Sequence, residues 1–304
     1  MLGTLHNDLY FQRMAASLGD KARLIDWLVE GPTLDVGAGD GALVAAIQRA
    51  TAERAYGLDA SAESVGRSHG LVRLGTSPGI GIAFPDMIFG NVVMSAVLHE
   101  IFSYNQPRGL RVSMMAVEEA AWKLKPQGRL LIRDGIGPDD PTTLCRITFR
   151  HPGQGARFHA RWHELSRGLG LNRPSSMTWL GLDGRLYGQA RHITAFLFVY
   201  VWGEASIERE AQEDYTCAGP LEARSERLEA WTGLDLIHAE AYQQPGYVEN
   251  WTKLCTFEQQ IPAHEGPWSV RDWPMTNAVW ILQNNTEDPE AIRLEEQEED
   301  DHDQ

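Results

Sequence analysis

Apolar positions along the chain keep two different periods, and the switches between them mark out its parts. Over residues 8–30, DLYFQRMAASLGDKARLIDWLVE, the residues Leu9, Met14, Leu18, Leu24, Ile25 and Leu28 recur at helical spacing. That pattern predicts one or two helices ending at Gly31-Pro32. TLDVG then reads as a buried strand, ALVAAIQRA as a helix and AYGLDAS as a second strand, which together make a βαβ unit. ESVGRSHG predicts a short helix and VRLGTS a third strand, while NVVMSAV is a fourth. LRVSMMAVEEAAWKL is a long helix closed by KPQG, and RLLIRDG is a fifth strand. This alternation of strand and helix argues for a doubly wound α/β sheet.

After Gly137 the rhythm changes. Residues 138–232 read as mostly helical and loop-rich, and they follow the fifth strand, where a loop overhangs the sheet's carboxyl edge. They are expected to form a helical cap that recognises substrate. LDLIHAEAY (234–242) and MTNAVWILQ (275–283) return as strands with no crossover helix evident between them, which predicts an antiparallel pair closing the sheet. The expected organisation is therefore an N-terminal helical segment at 1–30, a ligand-binding α/β domain at 31–137 and 233–285, the cap at 138–232, and a tail at 286–304.

Composition changes this picture in three places. Hydrophobic residues make up 43% of the 304-residue chain and charged residues 23%, which suits a globular protein with an ordinary core. No apolar run approaches the roughly 18 residues of a membrane span. The start, MLGTLHNDLYFQRMAASLGDK, lacks a basic segment followed by an apolar core. Three widely spaced cysteines, Cys145, Cys217 and Cys255, show no metal-ligand spacing. A cytoplasmic protein with free thiols and no bound metal is the expectation.

The formal charge of −15 is uneven. The tail TEDPEAIRLEEQEEDDHDQ holds ten acids and one Arg, leaving −6 for everything before it, and its composition predicts disorder. Between Cys145 and His192 lie eight arginines (146, 150, 157, 161, 167, 173, 185 and 191) against Glu164 and Asp183 alone. Arginine's planar fork suits phosphate or carboxylate, so an anionic small molecule is one expectation. Solvated helix faces at i,i+4 spacing are the other. The acidic body argues against broad electrostatic binding to nucleic acid.

The candidate chemistry starts at TLDVGAGDGALVAAI. Asp35, Gly37, Gly39 and Gly41 alternate at the strand-to-helix turn, where backbone N–H groups and a helix N-terminus can approach a ligand. Asp59 ends the next strand, about 20 residues on, where a carboxylate can accept from ribose hydroxyls. A dinucleotide loop would have two residues before its last glycine; this one has a single residue.

In that spacing the chain resembles the class I S-adenosylmethionine-dependent methyltransferases. The resemblance continues through GLDAS (57–61), FPDMIFGNVVMSAVLHEI (84–101) and AAWKLKPQGRLLIRDG (120–135). It implies a mostly parallel, doubly wound seven-stranded sheet with an antiparallel last pair, S-adenosylmethionine as cofactor, and methyl transfer as the activity. It also implies roles for particular residues. Asp35 would orient the loop and help receive the methionine ammonium. Gly37, Ala38, Gly39 and Gly41 would let the backbone approach it. Asp59, with Ala60 and Ser61, would hold the ribose, and Ala96 and Leu98 would line the methyl-transfer side. The family's acidic contact to adenine has no counterpart here, because Thr76, Ser77 and Pro78 occupy that neighbourhood beside Ile80.

His99 and Glu100, directly after the fourth strand, and Asp134, ending the fifth, are the candidates for removing a proton from the acceptor. His192, Tyr200, Trp202 and Tyr247 are the candidates for contacting it. The expected partner is a small or nucleotide-like molecule. A nucleic-acid acceptor and a methyltransferase-fold binding subunit without turnover are the alternatives.

Overall fold

In the computed structural model, residues 17–75, 81–167, 174–260 and 266–286 are described. Leu9, Met14, Thr76, Ser77, Pro78, Ile80, Arg173 and the acidic tail from 287 lie outside them. So does the 8–16 part of the expected N-terminal helix.

Two sheets organise the chain. The strands of the first are β1 (Thr33–Val36), β2 (Ala55–Asp59), β3 (Val72–Leu74), β4 (Phe89–Ser95), β5 (Leu124–Gly135), β9 (Asp235–Tyr242) and β12 (Asn277–Gln283), in the order β3-β2-β1-β4-β5-β12-β9. From β3 to β5 every pairing is parallel, and β12 runs antiparallel to both β5 and β9. The central strands are covered on both faces, so β1 and β4 are buried at every position rather than alternating. Leu34, Val92, Leu130 and Trp280 face one core with the helices Gly109–Trp122 and Leu221–Thr232, and Val93, Leu131 and Ile281 face another with Ala42–Thr51. The parallel half and the antiparallel closure agree with the sequence expectation.

The insertion after β5 is largely helical, as expected, with helices at Pro152–Arg167, Ala190–Trp202 and Ile207–Glu210. It also holds three strands that the apolar pattern did not announce: β6 (Leu144–Phe149), β7 (Trp179–Leu180) and β8 (Leu186–Gln189). They join β10 (Cys255–Gln260) and β11 (Trp268–Val270) in a five-stranded sheet, order β11-β10-β6-β8-β7, antiparallel throughout. The expected boundary at 233 therefore does not separate the two sheets, because β10 and β11 come from the stretch assigned to the α/β domain. In the other direction, helix Leu221–Thr232 buries Leu228 against the first sheet. The second core is aromatic, with Phe149, Phe158, Trp162, Phe196, Tyr200 and Trp251 packed around Ile147 and Ile193. No described helix is long and apolar enough to cross a membrane.

Candidate active site

A cleft of about 1120 Å³ opens over the carboxyl ends of β1, β2, β4 and β5, roofed by residues from 157–161, 198–215 and 244–250. Its position follows from the topology: in an open α/β sheet the crevice lies where the strand order reverses, here between β1 and β4.

The glycine loop forms one wall. Gly37, Gly39 and Gly41 all have positive φ, at 77°, 57° and 81°, a region that L residues with a Cβ seldom occupy. Gly37 is also close-packed, since a Cβ there would stand 2.5 Å from Val97 Cγ2. The N–H groups of Gly37 and Ala38 both donate to Leu58 O, at 2.8 and 3.0 Å, which ties the loop to β2. Asp59 completes the tie. Its Oδ2 accepts from Gly39 N at 2.8 Å and its Oδ1 from Ser61 N at 2.8 Å. Ser61 in turn caps the helix Ala62–Arg67 by accepting from Ser64 N. Beyond Asp59, a second recess of about 220 Å³ is walled by Ala60, Leu74, Ile82, Ala83 and Val97. Asp35 is buried behind the loop, and burial pushes its carboxyl up to about 7 against the opposing pull of Lys21.

The floor is ionisable. Asp134 Oδ1 lies 2.5 Å from His99 Nδ1, and its Oδ2 accepts from the N–H of Leu98 at 2.7 Å. Glu213 Oε2 stands 3.5 Å from His99 Nε2. Burial disfavours the charged ring, but Asp134 and Glu213 outweigh it and hold the His99 pKa well above its usual range. The tyrosines 104 and 215 both donate to Glu213, at 2.7 and 2.8 Å, and Tyr215 also donates to Glu210. The Tyr215 ring lies 4.4 Å from that of His99. Arg209 reaches Glu100 at 3.3 Å and Glu213 at 3.7 Å. Burial, with Glu213 nearby, raises Glu100 to about 7, and the same two causes raise Glu210 to about 7. His99, Glu100 and Glu213 bring one ligand-type atom each within 4.8 Å of one another, but a His99 ring kept charged has no lone pair to offer a cation.

The expected residues are thus brought together unevenly. Gly37, Gly39, Asp59, Ser61, Ala96, His99 and Glu100 line the cleft, Asp35 and Ala38 its inner end, and Asp134 lies beneath the floor. Gly41 caps the helix Ala42–Thr51, and Leu98 is a buried first residue of helix Leu98–Tyr104. Trp202 and Tyr247 line the roof. His192 and Tyr200 are not among the cleft-lining residues. Tyr200 belongs to the aromatic core, its ring 4.9 Å from Phe158 and 5.1 Å from Phe196, and His192 is buried one residue after Arg191, which pairs with Asp214. The helix Ala190–Trp202 is apolar on nearly all sides, so residue type alone did not tell the cleft face from the core face.

Sequence reading missed Glu210, Glu213 and Tyr215. They lie in EREAQEDYT, which looks like any solvated charged segment, and only the tertiary fold carries them to the floor.

The arginines divide as well. Arg146 pairs with Glu258, Arg161 with Glu164 and Glu208, Arg185 with Asp183 and Arg191 with Asp214. Arg157, which is exposed, and Arg161 both line the cleft.

Residues 34–132 match the family model described as a methyltransferase domain. No curated protein matches the chain in sequence. Among solved structures, a chain of the Haloferax volcanii complex containing the Trm112 methyltransferase activator superposes with a TM-score of 0.51 at 13% identity, covering 94% of this chain and 98% of that one. Geranyl diphosphate C-methyltransferase from Streptomyces coelicolor, in complex with Mg2+, geranyl diphosphate and S-adenosyl-L-homocysteine, gives 0.48 at 11% identity, over 89% and 79%. An S-adenosylmethionine-dependent methyltransferase from Thermotoga maritima gives 0.46 at 10% identity, over 93% and 96%. Residues 34–132 are therefore a methyltransferase domain, set in a sheet whose fold the Haloferax volcanii chain shares.

Proposed function

We propose that this protein transfers the methyl group of S-adenosylmethionine to a nucleophile on a small molecule held in the 1120 Å³ cleft, with Glu100 taking the nucleophile's proton. The observation that carries this is a single cavity joining the glycine loop and Asp59 to a buried acidic floor. Asp59 would hold the ribose, since each of its oxygens spends one lone pair on a backbone N–H and keeps another. The apolar recess behind Asp59 would take the adenine, and Ala96 would border the sulfonium. Trp202 and Tyr247 would flank the acceptor.

Bound there, S-adenosylmethionine would supply an activated methyl group to the acceptor's lone pair, its sulfur keeping the C–S electron pair, while Glu100 would take the acceptor's proton. Alignment supplies much of the acceleration for so activated a donor. His99 is not the proton acceptor in this reading, because Asp134 and Glu213 keep it charged. Glu100, poised near 7, has a pKa matched to that role.

An acceptor that enters as an ammonium or a neutral hydroxyl suits the carboxylates of the floor. The anionic acceptor suggested by the arginines has less support, since four of them are engaged by carboxylates and Arg157, which lines the cleft, is exposed. The same pairing and the charge of −15 weigh against nucleic acid. The test uses labelled S-adenosylmethionine with a panel of small amines and hydroxyl compounds. Turnover that rises through about pH 7 and is lost in Glu100→Gln, with cofactor binding kept, is the expected outcome. Tight cofactor binding with no turnover on any class would favour the binding-subunit alternative.

A further inference from the structure

The inner end of the cleft holds a cation that neither the sequence motifs nor the family match accounts for. Lys21 lies ahead of the matched domain, which begins at residue 34, on the short helix Leu18–Lys21. It lines both the main cleft and the smaller hollow behind the glycine loop, together with Asp35, Gly37 and Ser95. Among the described residues no hydrogen bond or ion pair engages its ammonium.

The helix that carries it is fixed in place. Asp20, its neighbour, binds the guanidinium of Arg133 through both Nε, at 2.7 Å, and Nη2, and accepts from Tyr242 Oη at 3.0 Å. Arg133 is 3% exposed, so this clamp is a buried ion pair joining the N-terminal segment to β5 and β9. Arg23 reinforces it, lying 3.9 Å over the Tyr242 ring and 2.9 Å from Glu240. A buried clamp of this kind costs desolvation, and its visible effect is to hold Lys21 over the hollow.

A second, independent group faces the same place. Ser95, at the end of β4, is 5% exposed, and its Oγ has no hydrogen-bond partner in the protein. A buried hydroxyl without a partner is destabilising unless a ligand supplies one.

We propose that Lys21 and the Ser95 hydroxyl bind the carboxylate of the cofactor's methionine moiety, while Asp35 faces its ammonium, so that the N-terminal segment completes the cofactor site. A zwitterion needs one charge of each sign at close range: Lys21 and Ser95 stand on the wall of the main cleft, and Asp35 lies behind them across a hollow of about 10 Å³. Burial lowers the pKa of Lys21 and raises that of Asp35, while each draws the other toward its charged form, which places the two within electrostatic reach of one another. The inference rests on S-adenosylmethionine being the cofactor.

Two ligands separate its outcomes. S-adenosylhomocysteine carries the amino-acid end, and methylthioadenosine has the same adenosine and sulfur without it. In calorimetry on the full chain, Lys21→Met should weaken S-adenosylhomocysteine about ten- to a hundredfold, the scale of a lost charged hydrogen bond, and leave methylthioadenosine within about twofold. Ser95→Ala should shift the same ligand alone, by a smaller factor. Thermal unfolding of both variants should match the parent. Unchanged S-adenosylhomocysteine affinity in Lys21→Met overturns the proposal. Equal losses for both ligands overturn it too, since they would mean that Lys21 only shapes the pocket. A parent protein that binds neither ligand overturns the cofactor assignment itself, and this proposal with it.

Discussion

His99 and Asp134 form one buried unit, with ring Nδ1 and carboxylate Oδ1 2.5 Å apart and the second carboxylate oxygen taking the N–H of Leu98. Removing one partner strands the other in a low-dielectric site, which costs about 3–5 kcal/mol for a buried pair. Asp134→Asn should lower the unfolding free energy by that order, measured in urea at pH 7.

The pH dependence has a definite sign. A His99 pKa above 6.5 gives stability that is complete below that value and is lost as pH rises through the folded pKa. Asp134, held below 3.8 despite its burial because His99 and backbone N–H groups outweigh it, contributes stability that is lost only in acid. The stability gap between the parent and His99→Asn should therefore be wider at pH 6 than at pH 9. A gap that widens with pH would show that the ring is neutral in the fold.

Gly37 makes a test of the loop itself. Gly37→Ala meets both the positive φ of 77° and the Val97 side chain at 2.5 Å. S-adenosylhomocysteine binding should fall at least tenfold and the melting temperature should drop. Adding Val97→Ala should recover part of the stability, because the clash goes while the backbone strain remains.

Asp59 tests the ribose assignment and the loop together. Asp59→Ala removes two hydrogen-bond acceptors from Gly39 and Ser61. Cofactor affinity should weaken by about 1.5–3 kcal/mol. A loss of a few tenths in calorimetry would mean that the ribose is held elsewhere.

Arg146 tests the structural use of the arginine-rich stretch. It makes a two-pronged pair with Glu258, at 2.9 and 2.8 Å, across directly opposed positions of β6 and β10, under the Trp268 ring. Arg146→Lys keeps the charge and loses the fork, so it should cost about 1 kcal/mol of stability. Cofactor affinity should be unchanged.

How much was legible beforehand follows from how each element is buried. β1 and β4 are covered on both faces, so they read as unbroken apolar runs, and the glycine loop between strand and helix stood out with them. β6 alternates buried and half-buried residues over six positions, and β7 has two residues, both exposed. Such short, polar-sided strands carry little periodic signal. The floor divides the same way. His99, Glu100 and Asp134 were legible as candidates because they lie at or just past the ends of strands that the apolar pattern marks. Glu213 and Tyr215 come from a loop whose position depends on the second sheet, which local pattern did not reveal.

The path of the chain between its two sheets has a consequence for any attempt to shorten the protein. It leaves the first sheet after β5, returns for Leu221–Thr232 and β9, leaves again for β10 and β11, and comes back as β12 between β5 and β9. Neither half is a continuous piece. A fragment ending near residue 137, the natural cut suggested by the family match, would keep every glycine of the loop yet leave β5 as a bare edge with no strand to cover its N–H and C=O groups. Such an edge pairs with whatever strand it meets, so the fragment would be expected to aggregate rather than bind cofactor.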